Sequence, residues 1–152
     1  MAARSIQELE AVWKNLEGVK RMSDRVVGVG PFGIGLDGLL TWVPWAGDLY
    51  TVGMGGWLLT QSVRAKAAPA TVLRMAAYLA ADTATAVVPF LGAVVDTLFP
   101  GHLMAAKALQ KDIESTHWVE MSERDARDRG LFEQHSHEAR AQKKRRVVYL
   151  GG

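Results

Sequence analysis

Cysteine is absent from this chain, which excludes disulfides, thiolate metal sites and cysteine nucleophiles. Charge is scarce in its middle. Between residues 26 and 106 the acids are Asp37, Asp48, Asp82 and Asp96, and the bases are Arg64, Lys66 and Arg74. The remainder of the 18 basic and 16 acidic residues lie in the two ends, so a mean hydropathy of +0.02 averages over an apolar centre and polar flanks. The N-terminal stretch lacks the uninterrupted apolar run of a secretory signal, being broken by Glu8, Glu10 and Glu17. Membrane insertion, if it occurs, is then directed by the central segment.

The motifs of common chemistries are missing as well. No HExxH helix, P-loop lysine or ordered Ser/His/Asp set is present. His135 and His137 are two residues apart, which on a helix points them about 200° away from each other. His102 and His117 are isolated in sequence. A net charge of +2 gives no global attraction for nucleic acid, and no basic face carries interleaved aromatics. Neither an enzyme activity, a cofactor nor a metal is expected.

What the chain does have is a repeat. Residues 35–48, GLDGLLTWVPWAGD, return in diluted form 45 residues later. Asp37, Val43, Pro44 and Gly47 recur as Asp82, Val88, Pro89 and Gly92, and Gly56, Leu58 and Lys66 recur as Gly101, Leu103 and Lys111. A unit present twice in a chain sized for one domain implies two halves that need each other. In each half a proline ends one apolar arm, a glycine lets the chain turn, and a second arm follows. Helices are expected over residues 48–63, 70–87 and 93–110, with Asp48 at an N-cap and a kink at Pro100 and Gly101. Gly28, Gly30 and Gly33 with Asp48 satisfy a GxGxxG dinucleotide pattern. That pattern needs a strand before it and alternating strands and helices after it, and neither is present.

The flanks read differently. Residues 5–25 predict an amphipathic helix, with Ser5 and Glu8 spaced as a capping box and Ile6, Leu9, Trp13 and Leu16 on one stripe. It either docks on the core or lies in a membrane interface. Beyond residue 107 the chain is charged. Glu120 with Arg124, Glu123 with Arg127 and Asp125 with Arg129 suit a solvated helix ending at Gly130. Lys143, Lys144, Arg145 and Arg146 form a basic cluster that reads first as a solvated tail, next as a contact for anionic lipid headgroups, and last as a nucleic-acid contact.

Three arguments place the centre in a membrane. Helices of soluble proteins are rarely so poor in charge on every face. The N-terminal region, the connection at residues 64–74 and the C-terminal region are each net basic, which fits all three on the cytoplasmic side of two re-entrant hairpins. Gly53, Gly55 and Gly56, with the alanines of residues 76–86, allow the close helix packing used within lipid. Trp42, Trp45, Trp57 and Trp118 have the build of interfacial anchors, although core packing explains them nearly as well.

Residues 35–48, then Arg74 and Met75, then Asp82 with Pro89, Gly92 and Asp96, resemble the bacterial family known as domain of unknown function 4112, roughly over residues 24–112. That family has no established activity. The resemblance implies a small, helical, membrane-associated protein. The chain departs from the family pattern at Ala93, where an aspartate is usual, and at Tyr78 and His102, where asparagine is. If the family used symmetric aspartate pairs for ions, half of that symmetry is missing here.

The expected fold is therefore all-α, with an amphipathic N-terminal helix (residues 1–25), a membrane-embedded pair of Pro/Gly-broken hairpins (26–111) and a charged C-terminal helix and extension (112–152). The candidate functional residues are Asp37, Pro44, Gly47, Asp48, Asp82, Pro89, Gly92 and Asp96, which either fix the breaks by binding backbone amides or hold an ion. The expected partners are membrane lipids and either a second copy or a larger membrane complex, with no nucleic acid. The expected location is the bacterial inner membrane, with both termini cytoplasmic. A structural or accessory subunit is the leading function, ion or solute passage the second, and a soluble helical binding module the third.

Overall fold

The computed structural model describes residues 2–28, 46–86 and 101–151. Their elements are α1 (Ile6–Gly28), α2 (Ala46–Arg64), α3 (Pro69–Ala86), α4 (Gly101–Glu114), β1 (Thr116–Val119), α5 (Glu123–Asp128), α6 (Phe132–Ala141) and β2 (Arg146–Tyr149). The protein is mostly helical, as its apolar periodicity requires. Among the described residues no helix is long and apolar enough to cross a membrane.

The start of α1 follows from its cap. Ser5 Oγ accepts the Glu8 amide at 3.2 Å, while the Glu8 carboxylate turns back to the Arg4 amide at 2.8 Å. Leu9, Val12, Leu16 and Val19 then recur at helical spacing and are buried. The helix therefore docks on the protein core, while Ile6 stays exposed. Trp13 packs beside that stripe and donates its indole N–H to Glu114 at 3.0 Å. Lys20 and Gln110 both donate to Glu17, and together they hold its carboxyl below the ordinary glutamate range.

The core joins α1 to the central helices: Leu9, Val12 and Leu16 meet Leu58 of α2, Met75 of α3, and Ala105, Ala106 and Leu109 of α4. Each fully buried leucine here contributes about 1.5–3 kcal/mol from apolar burial. Trp57 and Trp118 pack against this cluster, and Trp118 donates its indole N–H to the Ile113 carbonyl at 2.9 Å. Both tryptophans are thus core-packing residues. Trp42 and Trp45 lie outside the described residues.

Helix ends recur in one form. After α2, Lys66 takes φ +45°, with Ala67 N–H bonded to the Ser62 carbonyl and Lys66 N–H to the Val63 carbonyl. Gly130 (φ +69°) does the same after α5, and Lys143 (φ +55°) after α6. This is the Schellman arrangement, in which a left-handed residue satisfies the last carbonyls of the helix. Pro69 then opens α3 at the first helical position, where its missing N–H costs nothing.

The all-α expectation fails in the C-terminal region. There α4 stops at Glu114, and the chain forms two strands with α5 and α6 between them. β1 and β2 pair in parallel, Thr116 opposite Arg146 and Val119 opposite Tyr149. Parallel pairing needs a crossover connection, and α5 and α6 supply it. The solvated-helix expectation survives locally: Arg127 pairs with Glu123 on α5, and Gly130 follows its end.

Candidate functional site

Of the repeated motif, Asp37, Pro44, Pro89, Gly92 and Asp96 lie outside the described residues. Gly47 and Asp48 fall in the first turn of α2, which begins at Ala46, so Asp48 is inside the helix and not at its N-cap. Asp82 is placed in full. Its Oδ1 accepts the Gly101 amide at 3.0 Å, and its Oδ2 lies 3.5 Å from His102 Nδ1. The carboxylate therefore ties the end of α3 to the first residues of α4, where the amides of a helix start have no internal partner. Gly101 is required there: a Cβ would strike the Tyr78 carbonyl oxygen and come within 2.6 Å of Asp82 Cβ. His102 stands at the same junction. Among the described residues no group of three His, Asp or Glu side chains is arranged to hold a metal ion.

Beyond Gly47, the other three glycines of α2 separate into two roles. Gly55 is buried, and a Cβ there would meet the Leu79 side chain of α3 at 3.6 Å, an ordinary packing distance, so Gly55 faces α3. Gly53 and Gly56 are exposed, with nothing within 4 Å of their Cβ positions. They share a face of α2 with Val52 and Val63, which are 64% and 66% exposed. Thr60 lies on this face too, and its hydroxyl is satisfied by the Gly56 carbonyl at 2.9 Å. On α3 the exposed face carries Ala70, Leu73, Ala77 and Ala81, with Leu73 at 73% exposure, and Arg74 stands exposed among them as its one charge. Val52, Val63 and Leu73 carry no signal of their own in the sequence; only the scarcity of charge around them points to an apolar surface.

The basic cluster is also divided. Arg146 reaches inward: its guanidinium pairs with Asp112 at 2.7 Å, donates to the Lys66 carbonyl at 3.0 Å and to Thr116 Oγ1 at 3.2 Å. Asp112 in turn accepts the Ala68 amide at 3.0 Å. Lys144 donates to the Glu114 carbonyl at 2.6 Å. Two of the four expected headgroup contacts are therefore bound to the protein itself, and Lys143 ends a helix. Charge runs in a sequence do not reveal this, because the acceptors are Asp112 and two backbone carbonyls far away along the chain.

No curated protein and no solved structure matches the chain. Residues 12–113 match a protein family described as a domain of unknown function, DUF4112, and this stretch runs from the buried stripe of α1 through the Asp82–Gly101 junction to the end of the core. Since the match covers well over half of its length, the chain belongs to the DUF4112 family.

Proposed function

We propose that this protein is a non-enzymatic, membrane-associated structural or accessory subunit, whose α2–α3 pair packs in the bilayer against a second copy of the chain. The observation that carries this reading is the outer face of α2, where Val52, Gly53, Gly56 and Val63 are exposed together and the Thr60 hydroxyl is satisfied internally. Such a face leaves no side-chain donor for water, because Thr60 spends its own on the Gly56 carbonyl, and its glycines permit a second backbone to come close. At 19 and 18 residues, α2 and α3 are about 27–29 Å long at 1.5 Å per residue. That is slightly under a hydrocarbon core of about 30 Å, which favours a re-entrant seat over a simple span.

The absence of native cysteine makes a clean test available. Gly56→Cys should form disulfide-linked dimers under mild oxidation in the membrane fraction, whereas Lys107→Cys, at an exposed position of α4, should not. No Gly56→Cys dimer, with the variant folded and membrane-bound, would remove the self-packing reading. Altered ion flux in Asp37→Asn and Asp82→Asn with assembly intact would move the assignment to ion passage.

A further inference from the structure

Beyond residue 113, outside the family match, α6 and β2 enclose a cleft of about 360 Å³. Its lining carries four cations, Arg140, Lys144, Arg145 and Arg146, against one carboxylate, Glu123. That carboxylate is already neutralised by Arg127. Two of the cations are engaged as well, Arg146 with Asp112 and Lys144 with the Glu114 carbonyl. The exposed side chains of Arg140 and Arg145 make no hydrogen bond or ion pair among the described residues, yet both line the cleft. One wall is aromatic: Phe132 stacks on Tyr149 with ring centres 6.1 Å apart, and the Tyr149 hydroxyl lies 3.2 Å from His135 Nδ1.

We propose that this cleft binds a phosphate-bearing anion, held by the guanidinium groups of Arg140 and Arg145. Two planar forks suit the oxygens and negative charge of a phosphate group, and Lys144, whose partner is a neutral carbonyl, adds to the positive potential, while Arg146 is balanced by Asp112. The concavity concentrates that potential. Its volume sits at the small end of ligand sites, suiting a headgroup or a small phosphorylated compound. Burial, with the Glu123 charge adding to it, pushes the Tyr149 hydroxyl above its usual range, so this wall stays protonated and carries no negative charge. The assignment stands apart from the α2–α3 reading, since no residue is shared.

The test uses the full-length chain in neutral maltoside detergent, titrated with pyrophosphate at constant ionic strength and followed by calorimetry. Pyrophosphate should bind, and Arg140→Gln and Arg145→Gln should each weaken it about tenfold, the scale of a charge-assisted contact, while Lys107→Gln leaves it unchanged. A parallel arm measures retention on phosphatidylcholine vesicles with and without phosphatidylglycerol. Pyrophosphate binding identifies soluble phosphate compounds as sufficient; a response to phosphatidylglycerol alone, lost in the Arg140→Gln/Arg145→Gln double variant, identifies a lipid headgroup. Retention on pure phosphatidylcholine reports the apolar face and is indifferent to the cleft. No binding in either arm, or equal binding by the double variant and Lys107→Gln, overturns the proposal. Because both arginines are exposed, an unchanged thermal midpoint shows that the variants fold.

Discussion

Individual residues hold the two ends of this chain to its centre through a few contacts. Arg146 and Asp112 join β2 to the end of α4, with Asp112 only 10% and Arg146 27% exposed. Replacing Arg146 by Gln leaves a shielded carboxylate with only the Ala68 amide as its hydrogen-bond donor from outside α4. Breaking a fully buried pair costs about 3–5 kcal/mol. Arg146 is partly solvated, so a loss of about 2 kcal/mol is expected here, which is a fall of about 4–8 °C in the thermal midpoint. Glycine substitutions should split by position. At Gly101 a methyl group meets the Tyr78 carbonyl, so Gly101→Ala should destabilise by about 1–3 kcal/mol. Gly18 lies exposed within α1 with nothing nearby, so Gly18→Ala should stabilise by about 0.5–1 kcal/mol. Thermal denaturation of the two variants side by side checks both signs.

At the scale of elements, the helices announce themselves in sequence and the strands do not. The stripe of Leu9 and Leu16 and the Ser5 cap are local signals, and α1 begins at Ile6 as they require, while the apolar run expected to be helical over residues 70–87 forms α3 at Pro69–Ala86. Thr116–Val119 and Arg146–Tyr149 are only four residues each and pair across 30 residues of chain, so no local alternation marks them. The turn into β2 is hidden too, because the left-handed residue after α6 is Lys143 where glycine is the usual signal. That choice has a measurable consequence. A side chain in the left-handed region is strained by about 1–2 kcal/mol, and glycine removes the strain while adding freedom to the unfolded chain. Lys143→Gly should therefore stabilise the protein by about 0.5 kcal/mol, seen as a higher denaturant midpoint at unchanged slope. In the candidate site, the Asp82 contact with a backbone amide belongs to the expected class because an aspartate beside a helix break has amides within reach. The division of Gly55 from Gly53 and Gly56 was not legible, since three near-adjacent glycines carry no mark of which one meets Leu79.

At the scale of the molecule, and among the described residues, polar contacts gather at the two ends and apolar exposure at the centre. The N-terminal helix and the C-terminal strands are tied down by Glu17, Asp112, Glu114 and Arg146, while Val52, Val63 and Leu73 face outward. Among the described residues the outer face of α2 is apolar and that of α3 is apolar around the exposed Arg74, and our proposal is that lipid and a second copy cover them. The membrane claim is tested most directly by fractionating the expressed full-length protein, with a carbonate wash of the membranes followed by detergent extraction. The account predicts that the chain resists the wash and needs detergent for release. Recovery in the soluble fraction, or release by carbonate alone, would contradict it and make the α2–α3 face a surface for a water-soluble partner.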